Sequence, residues 1–205
     1  MRDANPFCGQ CLIGPLRLWA MVELHVLVIG NLVRNPDGSV AEAHSTSTLL
    51  RTRNLTAVVD TSSAERTPHI RTSMRKIGIR PEEVGLVVHT HPHHDHVGND
   101  GLFPRAKVMD PWEGVPGQVL SELAGGVTLV ATPGHTLDSA SVFVESDGVR
   151  YAICGDAVPL RDNLERMVPP GICADRGLAM ESLNTISRFA DIVVPGHGPP
   201  FHTDG

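Results

Sequence analysis

Residues 91–96 read His-Pro-His-His-Asp-His, just after the apolar run Val84-Gly85-Leu86-Val87-Val88. Four imidazoles and one carboxylate in six positions have no role in packing a core. Protonated, the rings would repel one another; buried and neutral, each would need its own hydrogen-bond partner. Neutral imidazole is the commonest protein ligand for a transition metal. The chain must therefore end a buried strand at a loop crowded with metal-ligand chemistry, which restricts the folds open to it.

Spacing sharpens this. His91 and His93 are two apart, so on an extended segment both point to one side and can share one ion. Asp95 and His96 follow on the next turn of chain and can reach a second ion beside the first. Asp95 also stands where a helix could start, a favourable place for a carboxylate. Three later segments repeat one layout, an apolar strand leading into a turn that presents a ligand-type residue. Val127–Ala131 leads into Thr132-Pro133-Gly134-His135-Thr136, Val149–Cys154 into Gly155-Asp156, and Ile192–Val194 into Pro195-Gly196-His197-Gly198. Strand ends of one sheet converge on one edge, so residues far apart in sequence can meet there.

In this order, from Thr90 to Gly198, these motifs resemble the metallo-β-lactamase superfamily. The resemblance implies an α/β four-layer αβ/βα sandwich in a single domain. It assigns His91, His93 and His135 to one metal site and Asp95, His96 and His197 to a second, with Asp156 bridging them. Two divalent ions are implied; zinc is the default, and imidazole with carboxylate also suits iron or manganese. Asp95 has a second, catalytic role open to it, as acceptor or shuttle for the nucleophile's proton. His94 occupies a variable position of the motif, near the mouth of the site. His25, His44, His69 and His202 are read as non-ligands. Arg161 and Arg166, in the segment after Asp156, are offered as contacts to a substrate phosphate or carboxylate; the alternative is a solvated loop.

A closer resemblance lies in His96-Val97-Gly98-Asn99, Leu102-Phe103-Pro104 and the stretch from Asp191 to Phe201. These are similar to the compact group that includes metallo-β-lactamase-domain-containing protein 1. That likeness implies a compact hydrolase, with single-stranded RNA among its substrates. With eight residues following His197, a helical domain like that of glyoxalase II enzymes is not expected. The expectation is a dinuclear metal-dependent hydrolase acting on phosphodiester or ester-type bonds. The alternatives are a lactone or thioester hydrolase and, from another class, a metal-binding module without turnover.

Composition bounds the partners. A formal net charge of −6 disfavours a grip on extended duplex nucleic acid, which needs many basic contacts to phosphate. The single tyrosine, Tyr151, offers little to stack RNA bases on, so a small molecule or a short single strand is the expected substrate. No apolar run approaches the roughly 20 residues that span a bilayer. A soluble, cytoplasmic protein without membrane contact is expected, with a homo-oligomer left open. Cys8 and Cys11 form a lone Cys-x-x-Cys within residues 1–20, read as an N-terminal extension. Met21 stands beside the first convincing strand, so the catalytic domain is placed at 21–205.

Overall fold

The computed structural model describes residues 21–203. The expected extension, with its Cys-x-x-Cys, lies outside the described residues.

The first half of the chain builds one sheet. Strand β1 (Glu23–Val28) is followed by a hairpin of β2 (Asn31–Arg34) and β3 (Val40–His44), and then by β4 (Ser47–Arg51) and β5 (Thr56–Val59). Helix α1 (Thr67–Lys76) crosses to β6 (Leu86–Val88); the short helix α2 (His94–Val97) precedes β7 (Lys107–Met109). The order across this sheet is β1-β4-β5-β6-β7, and β2-β3 stands apart as a two-stranded ribbon. The β5–α1–β6 crossover makes β5 and β6 parallel, so both strands end at the same edge.

The second half builds the other sheet. It comprises β8 (Val119–Ala124), β9 (Val127–Ala131), β10 (Ala140–Ser146) and β11 (Val149–Gly155). After α3 (Arg161–Glu165) and α4 (Arg176–Phe189) come β12 (Ile192–Pro195) and β13 (Phe201–His202), in the order β13-β12-β11-β10-β9-β8. Strands β8 and β13 and helix α3 are additions to what the sequence predicts.

Three buried clusters define four layers. Ile70 and Met74 of α1 lie i,i+4 on one helix face and pack with Leu49, Val58 and Val87 on the outer side of the first sheet. Leu50, Val59 and Val88 meet Leu129, Val142 and Val194 between the sheets. Leu183 and Ile186 of α4 cover Phe143, Ala152 and Val193 on the far side of the second sheet. The alternation is legible in β4 and β5: Leu49 and Val58 face α1, Leu50 and Val59 face the other sheet, as period-two geometry requires. The result is the αβ/βα sandwich that the sequence leads one to expect. Its ligand-bearing loops follow β6, β9, β11 and β12.

Candidate metal centre

The loop after β6 is seated on the loop after β5. Thr61 N–H donates to the His96 carbonyl (2.6 Å) and Gly98 N–H to the Ser62 carbonyl (2.8 Å). The Asn99 amide donates to the carbonyls of Thr61 and Ser63, both at 2.7 Å. These contacts fix the turn on which α2 starts, with Asp95 in its first turn, where its place in the sequence predicts it. His135 is held from the other side. Ser182 Oγ of α4 donates to the Pro133 carbonyl at 2.7 Å. Gly134, at φ +140°, lies so close to α4 that a β-carbon there would stand 2.3 Å from Ala179 Cα.

All seven residues assigned by the resemblance come together. The ligand atoms of His91, His93 and His135 lie within 4.8 Å of one another, as do those of Asp95, His96 and His197. A third such group is His91, His96 and Asp156, which overlaps the other two sets. Asp156 lies between the clusters. Its Oδ2 is 3.5 Å from His135 Nε2, and its Oδ1 is 3.5 Å from His96 Nε2 and 3.1 Å from His197 Nε2. Asp95 Oδ2 is 3.6 Å from His197 Nε2 and 3.9 Å from His96 Nε2.

The inner ring nitrogens are aimed by their outer partners. His96 Nδ1 donates to Asp60 Oδ2 (2.7 Å), His135 Nδ1 to the Ile172 carbonyl (2.7 Å), and His197 Nδ1 to the His44 carbonyl (2.9 Å). His91 Nδ1 lies 3.1 Å from Thr90 Oγ1, which itself donates to Asp60 Oδ2 at 2.8 Å. In each ring Nδ1 faces outward to its partner, and Nε2 points inward. Metal-binding histidines are ordinarily oriented in this way.

Two observations test whether these residues fit divalent cations. His93 Nδ1 lies 3.0 Å from both His91 Nε2 and His135 Nε2. A proton on His93 Nδ1 serves only one of those contacts, whereas a cation serves all three nitrogens. In the second cluster, His96 Nε2 and Asp156 Oδ1 are buried without a hydrogen-bond partner of acceptable geometry. A buried polar atom left unpaired is costly, and a metal ion would satisfy both. The residues present therefore fit a pair of cations.

Titration behaviour divides the two clusters. Burial, reinforced by the neighbouring His96 charge, pushes His91 far below the ordinary imidazole range. Burial, with His135 beside it, also depresses His93. Both are neutral donors at physiological pH. Burial alone would depress His96 too, but the Asp60 and Asp156 carboxylates outweigh it and raise the ring to about 10. His197 is raised against its burial by Asp156. Asp156 is held well below the carboxylate range, because His197 and His96 outweigh its burial. Without metal, this cluster holds protons where an ion would sit.

Asp60 holds the Thr90 and His96 side chains and is not revealed by the sequence motifs. It is 2% exposed, has φ +52°, and accepts from Thr90 N–H (2.8 Å), Thr90 Oγ1–H (2.8 Å) and His96 Nδ1–H (2.7 Å). A signal for it exists: Val58-Val59-Asp60 repeats the apolar-strand-then-ligand layout seen at the other loops. His93, Asp95, His135, Asp156 and His197 line a cavity of about 350 Å³, together with His94. His94, set aside as a ligand, does stand at this mouth.

The two expected substrate arginines do not line the cavity. Arg161 pairs with Glu165 one turn along α3 and lies over the Phe201 ring. Arg166 is paired with Asp162 at 3.2 Å. Helical i,i+4 pairing holds both side chains on the outer surface. Arg34, from the β2–β3 ribbon, lines the cavity instead.

Fold and site together define a metal-dependent hydrolase. A family model described as the metallo-beta-lactamase superfamily matches residues 41–116 and 104–197. The chain is 31% identical to the probable metallo-hydrolase of Methanocaldococcus jannaschii, over 93% of this chain and 91% of that protein. It is 32% identical to metallo-beta-lactamase domain-containing protein 1 of Xenopus laevis, over 87% of this chain and 81% of that protein. Among solved structures, a candidate metallo-beta-lactamase from Thermotoga maritima superposes with a TM-score of 0.69 at 20% identity, covering 89% of this chain and 99% of its own. A quorum-quenching N-acyl homoserine lactone lactonase superposes at 0.63 and 19% identity, covering 87% and 92%. The chain belongs to the metallo-β-lactamase superfamily. No helix among the described residues is long and apolar enough to cross a membrane.

Proposed function

We propose that this protein hydrolyses an ester-type bond of a small molecule at a dinuclear metal centre, using the seven ligands described above. The observation that carries the reading is where the ligands lie. Five of them, His93, Asp95, His135, Asp156 and His197, line a cavity of about 350 Å³ whose other walls are chiefly Leu32, Val40, Ala43, Pro159, Pro170 and Ile172. Such a space suits a compact substrate with an apolar body. Among the described residues neither Phe, Tyr nor Trp lines it, so the geometry gives RNA bases no stacking platform. A phosphodiester is the second reading: paired cations can clamp an in-line phosphoryl displacement, and Arg34 at the cavity suits a phosphate.

When bound, paired divalent ions would lower the pKa of a water and polarise the scissile carbonyl or phosphoryl oxygen; zinc is the expected metal. The chain's own residues do the rest. His91, His93, His135, Asp95, His96, His197 and Asp156 would hold the ions. Asp60 and the carbonyls of Ile172 and His44 keep the imidazole protons outside. Asp95 lines the cavity, and its carboxylate would take a proton from the attacking water and pass it to the leaving group.

The test is a substrate panel on metal-loaded protein: p-nitrophenyl esters, γ-lactones, acyl thioesters, bis-p-nitrophenyl phosphate, short RNA and a β-lactam. Ester, lactone or thioester cleavage is expected to dominate. Preferential cleavage of the phosphodiesters would favour the second reading. No turnover with two ions bound per chain would point to a metal-binding module and reject the proposal.

A further inference from the structure

The β2–β3 ribbon has two faces of opposite character, and a bulge decides which residues join which. Its register runs Asn31↔His44, Leu32↔Ala43 and Val33↔Glu42, and then shifts to Arg34↔Val40, leaving Ala41 as the extra residue. Strict alternation on β3 would put Val40 on the face opposite Ala43. The shift brings Val40 round to the same side, as bulges do when they re-aim a side chain. Leu32, Arg34, Val40 and Ala43 therefore all line the cavity above the metal ligands.

The other face is polar and tied to the body of the protein. Asn31 Nδ2 donates to Glu42 Oε1 at 3.1 Å, and Glu42 pairs with His44 at 2.9 Å. His44 Nδ1 bonds Ser63 Oγ, and Arg66 donates to Asn31 Oδ1. This network fixes which face looks at the site.

Arg34 is the one arginine or lysine among the described residues lining that cavity. Its Nη1 donates to the Gly38 carbonyl of its own turn at 3.0 Å. No carboxylate of the described residues pairs with it within 4.0 Å. Its Nη2 reaches to 3.7 Å from where a β-carbon on Gly171 would stand, and Gly171 belongs to the opposite wall. The guanidinium is thus anchored on one side and faces the cavity with donors to spare. Arginine in such a setting recognises a carboxylate or a phosphate through paired, charge-assisted hydrogen bonds.

We propose that Arg34 is the specificity-determining residue of the site, binding an anionic group carried by the substrate at a distance from the scissile bond. The substrate class is then a small ester with an apolar body and a remote carboxylate or phosphate. This rests on the ester-hydrolase reading above and is built to be separable from it.

The experiment measures both binding and turnover on metal-loaded protein, for wild type, Arg34→Ala and Arg34→Lys. Calorimetry compares valerate, glutarate and 3-phosphonopropionate. Each offers one carboxylate to the metal centre, and only the last two carry a second anionic group. Wild type is expected to bind one or both of the two dianions at least tenfold more tightly than valerate; which of the two wins identifies carboxylate or phosphate. Arg34→Ala is expected to abolish that gap while leaving valerate unchanged, and Arg34→Lys to restore part of it. In turnover, a p-nitrophenyl hemiester of glutaric acid is expected to show a KM raised at least tenfold in Arg34→Ala, with kcat nearly unchanged. The KM and kcat for p-nitrophenyl valerate are expected to stay within twofold.

Equal losses on charged and uncharged ligands would show that Arg34 only shapes the ribbon, and would overturn the proposal. A wild-type preference for valerate over both dianions would overturn it too. Persistent ester turnover with no dependence of anion binding on Arg34 rejects the subsite and leaves the hydrolase reading standing. Arg34-dependent anion binding with no ester turnover does the reverse.

Discussion

Replacing Asp60 by asparagine would change three hydrogen bonds and almost no volume. Asparagine tolerates the positive φ at this position (+52°), so backbone strain is not introduced. Thr90 N–H can only donate, so the asparagine oxygen must take the place of Oδ1, which receives that bond at 2.8 Å. The amide nitrogen then replaces Oδ2 and faces Thr90 Oγ1 and His96 Nδ1, at 2.8 and 2.7 Å in the wild type. The hydroxyl can reverse its role and accept. The imidazole can accept only by moving its proton to Nε2, the atom that must hold metal. Loss of such an outer partner ordinarily costs about 10–100-fold in metal affinity, or about 1.4–2.8 kcal/mol. The metal-free protein, losing a charged acceptor in a buried site, should be less stable by about 1–3 kcal/mol.

The assay is a titration of chelator-stripped protein against a chromophoric competitor, with elemental analysis for stoichiometry. Nitrogen NMR of the His96 ring reports the tautomer directly. Asp60→Asn is expected to retain the first ion and bind the second weakly, with the ring proton on Nε2. A folded variant that binds both ions with wild-type affinity would refute the role assigned to Asp60 in holding the His96 tautomer.

Three further outcomes are expected. Gly155→Ala places a β-carbon 2.1 Å from Thr90 Oγ1 on a backbone with φ +47°; unfolding in urea should show a loss of about 2–4 kcal/mol, with metal content falling as well. The metal-free protein should have a defined pH window. His96 and His197 are raised in the fold, so their contribution is full below the unfolded imidazole value and lost as pH climbs, for His96 toward about 10. Asp156 is lowered, so its contribution disappears as pH falls below the ordinary carboxylate value. His91 and His93 are lowered by burial, so their contribution is lost as pH falls below the unfolded imidazole value. Melting curves of stripped protein should therefore peak near that value and fall on both sides, whereas loaded protein should gain affinity with rising pH because binding expels the protons on His96 and His197. Arg161→Ala should leave kcat/KM within twofold, since that side chain is occupied by Glu165 outside the cavity; a tenfold loss would return it to the substrate site.

Much of the fold was legible because its elements announce themselves locally. Pro68 in the first turn and Gly78 beyond the last bracket α1, and the apolar runs at 56–59, 127–131 and 192–194 are short enough to be strands and nothing else. Strand β8, Val119–Ala124, escaped because Val-Leu-Ser-Glu-Leu-Ala has neither clean alternation nor a β-branched run. It is an edge strand, paired on one side only, so less is demanded of its sequence. At the site, glycines beside histidine and aspartate marked the residues facing the metals. Asp60 and Arg34 escaped for opposite reasons. Asp60 acts through another side chain and stands in no motif. Arg34 shares a face with Leu32 by simple alternation, but nothing in the sequence says that the ribbon carrying them covers the site.

The ligands divide cleanly along the chain. His91, His93, Asp95 and His96 hang from the first sheet, and His135, Asp156 and His197 from the second. Each half of the molecule therefore carries an incomplete part of the proposed coordination set, and among the described residues, 110–118 are the only covalent tie between the halves. Severing that loop would give two fragments, each with its own sheet and outer helix, that share an apolar face and a divided claim on the same ions. Metal would then act as the cement of reassembly. On the proposed ligand set, the loaded enzyme would in this sense be a metal-clasped pair whose partners happen to be joined by one short loop of chain.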